Sequence, residues 1–234
     1  MCYPWKGKKE AKKENKQVKK TNWVTALLLI IVFTSGSSLA EERPVILVMG
    51  DSLSAAYNIP TAAGWVSLLE NRLAKESLKK EPLKKSQANW QVVNASISGE
   101  TTGGGLTRLP SLLRQHQPTI VLLELGANDG LRGLPPQLIT NNLEKMLILS
   151  KQSGAQVMLI GILLPPNYGP AYLTQFEQTY PKLAKKHQLP LVPFLLEGVA
   201  DKPELMQDDG LHPTAEAQAQ LLETVWLELK PLLN

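Results

Sequence analysis

The chain has 234 residues, of which 43% are hydrophobic, so it is long enough for one domain with a substantial core and too short for two ordinary ones. Its formal charge of +4 arises in the leader described next, so it does not indicate a nucleic-acid partner. Its one cysteine, Cys2, excludes a fold held together by disulfides within the chain.

The first forty residues have the three-part layout of a secretory signal peptide. Eight lysines precede the ten-residue apolar stretch VTALLLIIVF, and the small polar segment TSGSSLA follows it. Ser38 and Ala40 supply the small residues expected before a cleavage site, so we predict cleavage after Ala40. An uncleaved membrane anchor is the main alternative, but the apolar stretch is half of the roughly 20 residues that a spanning helix needs.

Removal of residues 1–40 changes the charge of the chain. It takes away eight lysines and two glutamates, so 25 basic residues fall to 17, 21 acidic residues fall to 19, and the net charge becomes −2. Cys2 is removed as well. These features suit a periplasmic enzyme that stands without disulfides. We expect a monomer that meets a membrane only transiently, through a lipid substrate or its signal peptide.

Five short apolar runs alternate with helical patterns in the rest of the chain. Continuous apolar runs separated by helices indicate parallel strands that are buried on both faces. We therefore predict an α/β fold, a three-layer α/β/α flavodoxin-like domain over residues 41–234 with a parallel sheet of about five strands. Ligands of such sheets bind beyond the carboxyl ends of the strands. The predicted strands are 45–49, 90–95, 119–125, 156–163 and 189–195, and the lysine-rich segment 77–87 is predicted to be a solvated loop.

Four short polar stretches fall at the ends of predicted strands. Each alone is more typical of a turn or a helix cap than of an active site. Together, in this order and at these strand ends, they predict one active site. The stretches are GDSLS at 50–54, SGET at 98–101, GAND at 126–129 and DDGLH at 208–212.

The same stretches resemble the four sequence blocks of the SGNH, or GDSL, hydrolases, and the resemblance covers essentially all of residues 44–234. The segments GDSLSAAY, VVNASISGETT, RLPSLLRQHQP, ELGANDGLRG, NYG and QDDGLHP are most similar to an exported branch of that family with thioesterase, protease, lysophospholipase and arylesterase members. The resemblance implies a serine esterase that acts on small-molecule acyl esters and thioesters, including fatty acyl-CoA, lysophospholipids and aryl esters. It implies an acyl-enzyme intermediate and no cofactor.

The chemistry of the individual residues supports the same roles. A serine hydroxyl needs a base to take its proton, and a neutral imidazole is the usual one, so Ser52 is the predicted nucleophile and His212 its base. Asp209, three residues before the histidine, is predicted to fix the tautomer of the ring. The backbone N–H groups of Ser52 and Gly99 and the side-chain amide of Asn128 are predicted to bind the oxyanion.

Several other polar residues have predicted structural roles. Asp51 is expected to hold the nucleophile turn by accepting backbone N–H groups, with a direct part in the chemistry as the alternative. A buried Glu124 must be either paired or protonated. His116 and His187 are predicted to lie in the last turns of helices, where an imidazole meets free carbonyls. No cysteine cluster or histidine pair at ligand spacing occurs in residues 41–234, so no metal is predicted.

The apolar loops 131–138 and 162–169 are candidates for an acyl groove, although they can equally be loops that only cover the sheet. Two alternatives to a fatty-acyl esterase stay open. One is an esterase with the same triad that removes acetyl groups from carbohydrate or peptidoglycan. The other is a non-catalytic flavodoxin-like domain that binds a phosphate or a flavin, which leaves Asp209 and His212 without a role. The candidate groove residues are Leu131, Leu134, Leu164 and Pro165.

Overall fold

The computed structural model describes residues 43–78 and 89–233. The predicted cleavage site and most of the predicted loop 77–87 lie outside these residues. The strands are β1 (Val45–Gly50), β2 (Gln91–Asn94), β3 (Ile120–Glu124), β4 (Gln156–Ile160) and β5 (Leu191–Val192). The α-helices are α1 (Trp65–Leu78), α2 (Thr102–His116), α3 (Ala127–Leu131), α4 (Pro136–Gln152), α5 (Pro170–Glu177), α6 (Thr179–His187) and α7 (Gln218–Leu229).

The five strands form one parallel sheet in the order β2-β1-β3-β4-β5, so the predicted fold class is confirmed. The strand predicted at 189–195 is too long, since β5 contains only two residues. Pro190 and Pro193 flank it, and proline has no N–H to donate to the neighbouring strand. Gly161, which follows β4, has no room for a side chain because a Cβ there would lie 2.2 Å from the carbonyl oxygen of Pro193.

The core lies on both faces of the sheet. Successive residues of a strand point to opposite faces, so Ile46 and Val48 pack on one side while Leu47 and Met49 pack on the other. Helices α1 and α7 cover the first face, and helices α2, α4, α5 and α6 cover the second. The three central strands, β1, β3 and β4, are therefore almost wholly buried and mostly apolar, whereas the edge strand β2 is partly exposed.

Two histidines lie at the ends of helices, as predicted. His116 is the last residue of α2 and His187 is the last residue of α6. The Nε2 atom of His187 lies 2.6 Å from the Oε1 atom of Glu144 on α4, so it ties these two helices together. No helix in the described ranges combines the length and apolar character that a membrane crossing requires.

Candidate active site

All four polar stretches lie at the carboxyl edge of the sheet because the strands that precede them are parallel. Gly50 at the end of β1 is the register partner of Glu124 at the end of β3. The N–H groups of Ala95 and Ile97 donate to the carbonyls of Val48 and Gly50, so the loop after β2 follows the edge of β1. Strand pairing thus brings together residues that are far apart in the sequence.

A hydroxyl, an imidazole and a carboxylate are joined by hydrogen bonds at this edge. The Nε2 atom of His212 lies 2.8 Å from the Oγ atom of Ser52, and its Nδ1 atom lies 2.7 Å from the Oδ2 atom of Asp209. The Oδ1 atom of Asp209 accepts the backbone N–H groups of Leu211 and His212. Gly210 adopts a φ of +65°, which lets this turn fold back on itself. Acid and base therefore form one local unit.

Asp209 is held in its ionised form. Burial opposes its charge, but the backbone N–H of Leu211 and the ring and N–H of His212 outweigh that effect and lower the pKa of Asp209. A carboxylate that stays charged at neutral pH can accept the Nδ1–H of a neutral imidazole and stabilise the imidazolium ion.

Gln207 is a residue of this turn that the sequence interpretation missed. Its backbone N–H donates to the carbonyl of His212 at 2.8 Å, and its carbonyl accepts the N–H of Gly210 at 2.9 Å. Its side-chain amide donates to the carbonyl of Pro213 at 3.0 Å. These bonds close the turn that carries the acid and the base.

The same side chain also joins this turn to the segment that follows the nucleophile. The Oε1 atom of Gln207 accepts the amide of Asn58 at 3.1 Å, and its Nε2 atom donates to the carbonyl of Tyr57 at 3.1 Å. The ring of Tyr57 packs on the ring of His212 with a centroid distance of 4.3 Å. The only sequence signal for Gln207 is its position just before the turn, because its contacts with Asn58 and Tyr57 depend on the fold.

The turn around Ser52 is held from behind by Glu124. The Oε2 atom of Glu124 accepts the hydroxyl of Ser54 at 2.7 Å and the N–H of Asp51 at 3.2 Å. Asp51 accepts the N–H of Leu53 through Oδ1 at 3.0 Å, so a backbone contact of the predicted kind is present. A Cβ at Gly50 would lie 2.6 Å from Oε2 of Glu124, so this glycine is required by close packing.

The predicted oxyanion donors lie on separate elements. The amide nitrogen of Asn128 donates to the Oδ2 atom of Asp51 at 3.2 Å and to the carbonyl of Glu100 at 3.0 Å. Gly99 is exposed, has a φ of +81°, and has no atom within 4 Å of the position of a Cβ. The N–H of Gly99 is therefore not covered by a side chain of its own. The side-chain amide of Asn128 is held in place by its two hydrogen bonds.

Helix α3, which carries Asn128, is anchored by buried polar contacts. Asp129 accepts the hydroxyl of Thr102 at 2.6 Å and its N–H at 2.8 Å, so α3 is fixed to the start of α2. At Gly126, with a φ of +127°, a Cβ would lie 2.5 Å from the hydroxyl of Tyr180. These contacts set the direction of the Asn128 side chain.

A cavity of about 210 Å³ opens beside Ser52, with Asn128 and His212 in its wall. The rest of its lining is almost entirely apolar. Leu134 is not part of it: the chain turns at Gly133, with a φ of +67°, and the carbonyl of Leu134 accepts a hydrogen bond from a tyrosine hydroxyl. The other lining residues are Leu53, Ala127, Leu131, Ile162, Leu163, Leu164, Pro165, Phe194, Leu195, Leu196 and Leu211.

The fold and this arrangement define a class of protein, the three-layer α/β/α hydrolases with a serine, histidine and aspartate at the sheet edge. Comparisons with known proteins agree. Residues 48–220 match the GDSL-like lipase/acylhydrolase family. An arylesterase of Vibrio mimicus is 50% identical over 203 residues, which are 87% of this chain and 96% of that protein. The thioesterase 1/protease 1/lysophospholipase L1 of Escherichia coli (strain K12) is 43% identical over 212 residues, which are 91% of this chain and 94% of that protein.

Solved structures give the same answer. The psychrotrophic esterase EstA from Pseudoalteromonas sp., in a structure inhibited by monoethylphosphonate, is 40% identical and superposes with a TM-score of 0.74 over 82% of this chain and 100% of that one. The chain belongs to the GDSL-like lipase/acylhydrolase family and is a hydrolase. The resemblance seen in the sequence is confirmed, and the non-catalytic flavodoxin-like alternative is wrong.

Proposed function

We propose that the chain hydrolyses acyl esters and thioesters through Ser52, His212 and Asp209. The observation that carries this proposal is the continuous hydrogen-bond chain from Oγ of Ser52 through His212 to Asp209, with distances of 2.8 and 2.7 Å. Nε2 of His212 takes the hydroxyl proton as Oγ attacks the acyl carbonyl, and Asp209 stabilises the imidazolium ion. His212 then protonates the leaving alcohol or thiol. Water, activated by the same imidazole, hydrolyses the acyl-enzyme.

We propose that the N–H groups of Ser52 and Gly99 and the amide of Asn128 bind the oxyanion of the tetrahedral intermediate. Asn128 supports this role because it lines the cavity beside Ser52 and is already fixed by two hydrogen bonds. Its longer bond, to Asp51 at 3.2 Å, is the one we expect to be shared with the oxyanion. Donors that are fixed in advance need little reorganisation as charge develops.

The substrate proposed is a small-molecule acyl ester or thioester with an apolar acyl chain, such as a fatty acyl-CoA, a lysophospholipid or an aryl ester. The apolar cavity next to Ser52 supports this proposal, because each buried CH₂ group contributes about 0.8 kcal/mol. The two relatives named above, an arylesterase and a thioesterase 1/protease 1/lysophospholipase L1, support it as well. Leu131, Leu164 and Pro165 are the proposed contacts of the chain.

The proposed location is the periplasm, after removal of residues 1–40 as a signal peptide. The lysine-rich start, the apolar stretch and the small residues before Glu41 support it. We propose that the enzyme acts as a monomer and meets a membrane only through a lipid substrate or its leader.

Labelling with a fluorophosphonate tests the nucleophile. We expect the label on Ser52, and Ser52→Ala should lose both label and esterase activity, whereas Ser98→Ala, which changes an exposed serine of the neighbouring loop, should keep both. Label that persists in Ser52→Ala would overturn the assignment.

A panel of p-nitrophenyl esters and acyl-CoAs of increasing length tests the substrate class. We expect kcat/KM to rise as the acyl chain grows from acetyl, because more CH₂ groups enter the cavity. Activity confined to acetyl esters, or to acetylated carbohydrate, would replace the fatty-acyl proposal with an acetyl esterase.

A further inference from the structure

Two carboxyl groups lie buried behind Ser52, and the proposed mechanism brings neither of them into contact with the reacting atoms. Asp51 and Glu124 both have no solvent exposure. They come from adjacent strands: Asp51 follows Gly50, which is the register partner of Glu124. The backbone N–H of Asp51 donates directly to Oε2 of Glu124. The pairing of β1 with β3 therefore places two acidic residues next to each other at the base of the nucleophile turn.

Three of the four carboxyl oxygens have hydrogen-bond donors. Oε2 of Glu124 accepts from Ser54 and from Asp51, Oδ1 of Asp51 accepts from Leu53, and Oδ2 of Asp51 accepts from Asn128. The fourth oxygen, Oε1 of Glu124, is buried and has no donor among the described residues. The side chain of Asp51, itself an acceptor, interacts with the carboxyl group of Glu124 and, in addition to burial, raises its pKa. Only a proton can turn this pair of acceptors into a hydrogen bond.

The electrostatic surroundings also favour a retained proton. The other titratable groups that act on the pair are Asp129, Tyr180 and His212, and of these only His212 can carry a positive charge. Burial, and then the charge of Asp51, raise the pKa of Glu124 well above its usual value. Burial raises the pKa of Asp51 to about 6 despite the N–H of Leu53. Two like charges in contact without solvent are strongly disfavoured.

We propose that Glu124 is a positioning residue that works as a neutral acid, with its Oε1–H donated to the carboxylate of Asp51. The pair then carries one proton and one negative charge at neutral pH. Oε2 of Glu124 fixes the turn on both sides of Ser52, through Asp51 and Ser54. The charge that remains on Asp51 orients Asn128 through Oδ2. A second charge behind the turn would oppose the oxyanion, so the shared proton favours the reaction.

This inference rests on the proposed function only for its effect on rate, since the proton itself can be observed directly. In infrared spectra of the purified chain at neutral pH, we expect the C=O band of a protonated carboxylic acid. Glu124→Gln should remove this band. Glu70→Gln, which changes an exposed glutamate of α1, should keep it. A wild-type spectrum without the band, or a band that survives in Glu124→Gln, would overturn the proposal.

The effect on rate is tested by comparing two substitutions of Glu124. Glutamine has one accepting oxygen and one donating nitrogen, as a protonated glutamate has one accepting and one donating oxygen, whereas an ionised glutamate only accepts. Glu124→Ala, which leaves buried donors unpaired, should lower kcat by about 10- to 100-fold, and Glu124→Gln should recover most of that loss. Equal losses in the two variants would overturn the positioning role. If Ser52 takes no label but the infrared band is present, the proposed function fails and the shared proton stands.

Discussion

The side chains of Asn58 and Gln207, 149 positions apart, are joined by a hydrogen bond of 3.1 Å. This bond connects the segment after Ser52 to the turn that carries Asp209 and His212. The distance between Ser52 and His212 therefore depends on a contact between two residues that lie outside the triad.

Gln207→Ala should lower kcat by about 10- to 100-fold, because several hydrogen bonds are lost and the two segments separate. The rate at which a fluorophosphonate labels Ser52 should fall in proportion. Gln220→Ala, which changes an exposed glutamine of α7, is the matched control and should label at the wild-type rate. Labelling of Gln207→Ala at the wild-type rate would mean that the turn keeps its position without the side-chain hydrogen bonds of Gln207 to Asn58 and Tyr57.

Asn128→Ala should lower kcat by about 10²–10³ with little change in KM, because the amide is proposed to meet negative charge only in the transition state. Steady-state kinetics on one ester measure both constants. A rise in KM alone would make Asn128 a contact of the ground-state substrate and remove it from the oxyanion site.

Asp209→Asn should lower kcat far more than Asp208→Asn. The equivalent change costs about 10⁴-fold in a serine protease, because the imidazole loses its carboxylate and its correct tautomer. Asparagine can still accept the N–H groups that Oδ1 of Asp209 now accepts, so the turn should remain folded. Kinetics of both variants, with circular dichroism to check folding, decide the matter. A larger loss in Asp208→Asn would shift the acid to the neighbouring residue.

Asp51→Asn should gain stability relative to wild type as the pH rises, and it should impair activity because Oδ2 no longer accepts the amide of Asn128. The pKa of Asp51 is raised from 3.8 to about 6 on folding, so between these values the folded chain holds a proton that the unfolded chain has released. The stabilisation from this proton is complete below pH 3.8 and is lost as the pH rises through about 6. The stability of Asp51→Asn relative to wild type should therefore rise by about 1–3 kcal/mol between pH 4 and pH 8, in addition to a pH-independent loss of the bond from Asn128 to Oδ2.

Urea unfolding of wild type and Asp51→Asn at several pH values between 4 and 8 measures this difference. Asparagine keeps an acceptor for the N–H of Leu53, so the turn does not lose that bond. If the variant instead gained most stability at acid pH and lost it toward pH 8, the carboxylate of Asp51 would be a net stabilising group in the folded chain.

Mass spectrometry of the protein from its native cells tests the leader. We expect a mature chain that begins at Glu41, four residues before β1 starts at Val45. A mature species that retains the lysines of residues 6–20 would show that the leader is kept.

Much of the fold could be predicted because its signal is local. The run at 45–49 is apolar throughout and the run at 119–125 is apolar except for Thr119 and Glu124, and strands buried on both faces need such a composition. The limits of β5 were harder to predict, since two prolines shorten a run that is apolar over seven residues. Hydrophobicity alone does not report where hydrogen bonding ends.

The candidate site was predictable where its parts are close in sequence, as with Asp209 and His212. The position of Glu124 was not, because its contacts with Ser54 and Asp51 depend on the register between β1 and β3. The hydrogen bonds from Gln207 to Asn58 and Tyr57 were not predicted for the same reason. The exclusion of Leu134 from the cavity depends on one turn at Gly133, which sequence periodicity does not describe.

The turn from Asp209 to His212 is closed by its own hydrogen bonds, so the acid and the base form one fixed unit. The distance between this unit and Ser52 is then the part of the triad geometry that can vary. Adaptation to cold or heat should change this distance through the bridging residues, Asn58, Tyr57 and Gln207, while the acid and base themselves stay unchanged. Directed evolution for a new working temperature has its most promising targets at these three positions.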